Sequence, residues 1–373
     1  MAKNLSFRAA VFEGTGAPLR LQELAVSGEP QRGEVLVRVK ASGVCHSDYR
    51  VFKGDWSAPT PLVLGHEGAG VVESVGPDVT RVKPGDHVVL TWTPPCGQCR
   101  YCVVGRPALC DVAKSRASRH VMPDGTTRLR RGEEPVHSYI SLGTFGECAL
   151  VTQSAVVPIR KDVPFTQACL VGCAVTTGIG AVINTAKVEP GATVLLLGCG
   201  GVGLSILQGA RIAAAEPIIA VDPNQEKLAT AKRFGATHVV NPDEDPDLQS
   251  VLEITGGRGV DYAFEAVGLA STAELAFAMT AKGGTAVLVG EPASGTRISI
   301  DPLLLADQER TLKGSNYGSS VPLRDFPRIL DWYASGRIDL DAMVTDRIPL
   351  EGVNEAFAAM GRGEGIRTVI EHS

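Results

Sequence analysis

"VLLLGCGGVGLSILQGARIA", residues 194–213, opens as an apolar run, breaks into glycines, and continues with a helical pattern. It contains G-x-G-x-x-G at Gly198, Gly200 and Gly203, with Gly201 and Val202 inside the loop. The chain has 42 glycines, enough for the spacing to arise by chance, so the context decides. Here a strand pattern precedes the motif and a helix pattern follows it, as in dinucleotide-binding loops. The glycines allow the tight turn and let the backbone approach a pyrophosphate, which then sits on the helix N-terminus. Asp222 ends the next strand pattern, 19 residues after Gly203. A carboxylate there accepts hydrogen bonds from the adenosine ribose and repels a 2′-phosphate, favouring NAD over NADP. The plain alternative is a glycine-rich turn without a ligand, and the acid argues against it.

Working outward, apolar strand runs alternate with helical patterns from about Thr166. The runs are "TVLLL" (193–197), "IIAVD" (218–222), "HVV" (238–240), "DYAFEA" (261–266), "TAVLV" (285–289) and "TLKG" (311–314). Strands that are apolar on both faces and spaced by helices predict a parallel sheet covered on both sides. Six of them suit two mononucleotide-binding halves. Farther on, "DFPRILDWYASG" (325–336) and "LEGVNEAFAAMGRG" (350–363) predict helices, and "RTVIEH" (367–372) a last strand. Residues 1–165 read differently, as short strands and turns without a long amphipathic helix. Examples are "EVLVRVKASGV" (34–44), "GAGVVESVG" (68–76) and "KPGDHVV" (83–89). The expected class is α/β, a β-rich domain plus a doubly wound domain with a six-stranded parallel sheet.

The length of 373 residues suits two domains. Apolar residues are 44% and charged residues 21%, ordinary for a soluble globular protein. A net charge of −5 without Lys/Arg runs argues against a nucleic-acid surface. No stretch approaches 18 consecutive apolar residues, so no membrane span is expected. The opening "MAKNLSFRAAVFEGTG" lacks the apolar core of a signal peptide, and a cytoplasmic location is expected.

Nine cysteines in such a compartment point to metal rather than disulfides. "CGQCRYCVVGRPALC" (96–110) spaces Cys96, Cys99, Cys102 and Cys110 as C-x₂-C-x₂-C-x₇-C. Four thiolates in one loop suit a closed tetrahedral zinc site that staples a lobe. An iron–sulfur cluster is the competing reading, but the usual proline and x₃ spacing at the fourth cysteine are missing. Cys45, Cys148, Cys169, Cys173 and Cys199 remain, and His66 lies in "LGHEGAG" (64–70). Taken singly, each reads as a small buried residue. Taken together, Cys45, His66 and Cys173 form a set of two thiolates and an imidazole that leaves a fourth zinc position open.

The chain resembles the zinc-dependent medium-chain alcohol dehydrogenases, nearest the liver and glutathione-dependent formaldehyde dehydrogenase branch. The resemblance rests on "GVCHSD" (43–48), "GHEGAGVVESVG", "KPGDHV", the cysteine block, "GCAVTTGIGAVINTAKVEPG" (172–191), "GCGGVG" and "GIRTVI" (365–370), in the family's order. It implies a GroES-like catalytic domain from residues 1–174 and 316–373, a Rossmann NAD domain over 175–315, and an active site between them. It implies two zinc ions per chain, a catalytic one on Cys45, His66 and Cys173 and a structural one on the four-cysteine block. Glu67 would stand behind the catalytic zinc, Asp48 would orient the ligand histidine, and Ser47 would be the relay hydroxyl. His46 and Arg367 would meet the pyrophosphate, Asp222 and Lys227 the adenosine ribose. Val202, Thr177, Val267 and Val289 would surround the coenzyme. A homodimer, or a tetramer as in bacterial relatives, is expected.

Two positions depart from the family. Arg50 stands where many members carry the histidine that ends the proton relay. Trp56 stands where the glutathione-dependent branch carries an acidic residue. Trp56, Trp92 and Tyr139 would line a narrow apolar channel, so the expected substrates are aromatic or medium-chain primary alcohols and their aldehydes. The same rings also suit a core. Competing readings are a thiol-dependent formaldehyde dehydrogenase, a zinc-family ketone or enal reductase, and a non-enzymatic zinc or redox sensor.

Overall fold

Residues 5–373 are described by the computed structural model. They divide into one unit that runs to Cys173 and resumes over Val321–Ser373, and a second unit, Ala174–Ser320.

The first unit supplies strands β1 (Leu5–Phe12), β2 (Arg20–Val26), β3 (Glu34–Gly43), β4 (Leu62–Val63), β5 (Glu67–Val75), β6 (His87–Leu90), β7 (Leu129–Arg131), β8 (Glu134–Ser138), β9 (Cys148–Thr152) and β10 (Val156–Pro158). β1, β2, β7, β8 and β4 close into a barrel. Val11, Leu24, Leu62, Leu64, Phe145 and Phe357 belong to the core against it. In the second sheet β3 pairs with β5 on one side and, over Glu34–Arg38, with β9 on the other. β3 buries nearly every side chain because both of its faces are covered.

The second unit supplies β11 (Val194–Leu197), β12 (Ile218–Val221), β13 (His238–Val240), β14 (Val260–Glu265), β15 (Thr280–Leu288) and β16 (Thr311–Gly314). All pairings are parallel, in the order β13-β12-β11-β14-β15-β16. This is the doubly wound order, and its switch point lies between β11 and β14, where such sheets bind ligands. The apolar runs therefore form the expected sheet. The chain then returns to the first unit with β17 (Val344–Ile348) and β18 (Arg367–Glu371), and β18 pairs with Ala41–Gly43 of β3.

Three elements differ from the sequence reading. His46–Lys53 is a helix within a stretch read as strands and turns. β15 begins at Thr280 rather than Thr285, because Val260 pairs with Thr280 before the register shifts. β17 carries no apolar pattern, since most of its side chains are exposed. Among the described residues no single helix is long and apolar enough to cross a membrane.

Candidate active site

The first cluster forms where β3 runs into the helix His46–Lys53. Cys45 is the residue before that helix, and Gly54, with φ 87°, ends it. Asp48 lies one turn in and accepts a hydrogen bond from the Cys45 N–H at 3.3 Å. Between β4 and β5, Gly65 takes φ 92° and the chain delivers His66 and Glu67 together. Cys173 follows the helix Phe165–Val171. One ligand atom each from Cys45, His66, Glu67 and Cys173 lies within 4.8 Å of the others.

The surroundings preset these donors. Asp48 is fully buried and accepts the Gly65 N–H at 3.0 Å. Its Oδ1 also lies 3.0 Å from His66 Nδ1, which leaves Nε2 as the ligand atom. A Cβ at Gly43 would stand 2.2 Å from Glu67 Oε2, so a side chain there would displace the Glu67 carboxylate. Glu67 is fully buried, and neither carboxylate oxygen has a hydrogen-bond partner. Arg367 stands beside it, with Nη1 3.7 Å from Oε1. Burial raises the Glu67 carboxyl to about 7, against the pull of Arg367. A hydrogen bond from the Cys173 thiol holds Cys45 well below the usual thiol range, outweighing burial, and Cys173 is raised correspondingly. Two thiols sharing a proton beside an unsatisfied carboxylate and an oriented imidazole fit a zinc ion, whose binding displaces that proton.

The other residues named from sequence are distributed around this cluster. Ser47 is half-buried, its Oγ 3.9 Å from Cys45 Sγ. His46 is exposed. Arg367 is buried, and its Nη1 donates to the Val44 carbonyl at 3.2 Å. Arg50 lies over the Trp56 ring at 5.5 Å. Trp56 packs on the barrel core, and Trp92 on the core of the second sheet. Tyr139 is 5% exposed and meets the His66 ring edge-on at 5.7 Å. Trp56 and Tyr139 thus also serve as core residues.

Cys96, Cys99, Cys102 and Cys110 converge equally closely. Backbone N–H groups point at their sulfurs: Cys99 to Cys96 at 3.3 Å, and Cys96 and Ala113 to Cys110 at 3.4 Å each. The Cys102 N–H leads the lowering of Cys99 to about 6. Thiolate-directed amides and four sulfurs suit a closed zinc site.

The glycine loop lies in the second unit, between β11 and the helix Gly201–Ile212. Gly198 takes φ 96°. A Cβ on Gly203 would stand 1.9 Å from the Gly198 carbonyl oxygen, whereas one on Gly200 would meet nothing within 4 Å. The open face at Gly200 before a 12-residue helix fits a pyrophosphate. Asp222 is buried and accepts the N–H groups of Cys199 at 2.8 Å and Asn224 at 2.9 Å. Thr177, Val202 and Lys227 are half-buried, Val289 is buried and Val267 is 41% exposed. Sequence reasoning passed over Glu265. Its Oε1 accepts from the Val267 and Gly268 N–H groups at 2.8 and 2.6 Å and from the Thr272 hydroxyl at 2.8 Å. That fixes the turn carrying Val267. An acid ending an apolar strand was the available signal.

Residues 31–161 match the alcohol dehydrogenase GroES-like domain, and residues 201–335 match the zinc-binding dehydrogenase family. The chain is 41% identical over 372 residues to S-(hydroxymethyl)glutathione dehydrogenase of Paracoccus denitrificans, covering 97% of this chain and 99% of that one. It is also 41% identical to the class-3 alcohol dehydrogenase of Cereibacter sphaeroides, with the same coverage. A zinc-binding-domain alcohol dehydrogenase from Burkholderia ambifaria superposes with a TM-score of 0.96 at 37% identity, over 100% of both chains. Benzyl alcohol dehydrogenase from Acinetobacter calcoaceticus superposes at 0.94 and 34% identity, over 99% of this chain and 100% of that one.

Proposed function

The chain belongs to the zinc-dependent medium-chain alcohol dehydrogenases, in the formaldehyde-dehydrogenase-like branch, and from that premise we propose that it interconverts primary aromatic or medium-chain alcohols and their aldehydes with NAD. The observation that supports the chemistry best is the buried set Cys45, His66 and Cys173, with Glu67 beside it. When bound, zinc supplies a Lewis acid toward the substrate oxygen and the nicotinamide supplies the hydride acceptor. Cys45, His66 and Cys173 hold the metal, and Asp48 fixes the tautomer and orientation of His66. Ser47 would relay the substrate hydroxyl proton, accepting it while giving up its own hydroxyl proton toward the cofactor ribose. Glu67 offers a further donor, and Arg367 balances its charge. The loop Gly198–Gly203 holds the pyrophosphate and Asp222 the ribose, with Lys227 beside it. Cys96, Cys99, Cys102 and Cys110 hold the structural zinc. This reading carries with it a catalytic domain over 1–174 and 316–373, an NAD domain over 175–315, and a cytoplasmic homodimer.

Two features support an aromatic substrate. Tyr139 presents its ring to His66, and Trp56, with the Arg50 guanidinium over it, puts a ring rather than a carboxylate at the position that is acidic in the glutathione-dependent branch. The likeness to a benzyl alcohol dehydrogenase points the same way. A second reading, oxidation of the formaldehyde–glutathione adduct, is favoured by the 41% identity to S-(hydroxymethyl)glutathione dehydrogenase. NAD⁺ reduction measured side by side separates them. Benzyl alcohol should exceed S-hydroxymethylglutathione in kcat/KM by about tenfold or more, a margin one buried charge or ring can supply. The reverse order would establish the second reading.

A further inference from the structure

The Tyr139 ring is held from both sides. One edge meets His66, and its face stacks on His120, with centroids 5.4 Å apart and planes 23° apart. His120 is 6% exposed, and its Nδ1 accepts the Ile140 backbone N–H at 2.9 Å. Burial, with His137 adding to it, pushes the His120 imidazole down to about 4, so that nitrogen stays an acceptor. Its partner segment needs holding. Ile140 and Ser141 take φ 42° and 62°, left-handed values that cost non-glycine residues energy and persist only when the surroundings impose them. Ser141 Oγ donates to the Val121 carbonyl at 2.7 Å. Past Tyr139, the Thr144 and Phe145 N–H groups donate to the Gly65 and Leu64 carbonyls, immediately before His66. On its other side, His120 follows the helix Asp111–Ala117, whose N-cap is Cys110 of the four-cysteine cluster.

We infer that His120 is a positioning residue: its ring seats Tyr139 against His66, closing that side of the ligand imidazole and forming the wall an aromatic substrate meets. The substrate part rests on the aromatic-alcohol reading above, whereas the shielding of His66 does not. Two variants separate the ring from its acceptor. His120→Asn keeps an acceptor for the Ile140 N–H and loses the stack, and His120→Phe keeps the stack and loses the acceptor. With the zinc-loaded protein, loss of zinc to a chelator is followed by metal analysis, and kcat and KM are measured for benzyl alcohol and ethanol. In His120→Asn the zinc-loss phase that Cys45→Ala abolishes should accelerate about tenfold, the scale of changes in groups that hold a metal ligand, at a nearly unchanged Tm. Its KM for benzyl alcohol should rise several-fold more than its KM for ethanol. His120→Phe should lower Tm yet retain both wild-type properties within about twofold. Zinc loss from His120→Asn at the wild-type rate overturns the positioning role. Accelerated zinc loss in an enzyme that does not oxidise benzyl alcohol upholds that role and instead removes the aromatic-alcohol reading.

Discussion

Gly200 and Gly203, three residues apart, should respond oppositely to a side chain. A Cβ at Gly203 would lie 1.9 Å from the Gly198 carbonyl oxygen, where roughly 3.3 Å is a close carbon–oxygen approach. Helix and strand must therefore separate by more than an ångström in a packed unit. Overpacking of this kind costs about 1–3 kcal/mol. Alanine regains up to about 1 kcal/mol of helix propensity over glycine, because Gly203 lies inside the helix Gly201–Ile212. With a backbone atom as the obstacle, the upper end applies, and the net loss is about 2 kcal/mol. In a unit of this size that lowers Tm by roughly 4–8 °C. Gly200 has φ −76° and open space. Gly200→Val should leave Tm within about 1 °C but fill the approach to the helix N-terminus, raising the NADH dissociation constant more than about tenfold. Calorimetry and NADH fluorescence titration read both quantities on both variants. A Gly203→Ala protein as stable as wild type would refute the packing argument. A Gly200→Val protein that binds NADH normally would remove the loop from the cofactor site.

Asp48→Asn removes the charge facing His66 Nδ1, and metal affinity at the buried cluster should fall about 10–100-fold, read by zinc competition; unchanged affinity would leave Asp48 without an orienting role. Cys99→Ala should lower Tm and reduce zinc from two per chain to one, and retention of two would remove Cys99 from the ligand set. His120 and His372, both buried, are held down at about 4 by desolvation. The unfolded histidine takes up its proton near 6.5, so their contribution is complete above that pH and is lost as pH falls toward 4, by at most about 1.4 kcal/mol per unit each. Urea midpoints between pH 7 and 5 should therefore fall less steeply in His372→Asn, and a superimposable curve would exclude this account.

The parallel sheet was legible because strands covered on both faces leave unmistakable apolar runs, such as Val194–Leu197 and Ile218–Val221. The cysteine block was legible because its four ligands lie within one loop. The helix His46–Lys53 was not read, although Asp48 and Gly54 marked its ends. It has only eight residues, two of them buried, which is too few for a periodic signal. Tyr139 and Trp56 show a different limit, since an aromatic side chain looks the same in sequence whether it fills a core or faces a ligand.

By itself, the sequence determined what depends on near neighbours along the chain: the glycine turn that opens a helix, the sulfur spacing of Cys96–Cys110, and the alternation that builds a doubly wound sheet. The tertiary structure decided what depends on convergence. It brought Cys45, His66, Glu67 and Cys173 within 4.8 Å of one another and turned Asp48 onto His66. It buried the Glu67 carboxylate beside Arg367 without a hydrogen-bond partner, and it wedged Tyr139 between two histidines. Local spacing encodes hydrogen bonds and turns, whereas the burial and charge that activate these side chains come from strands and helices far apart in the chain.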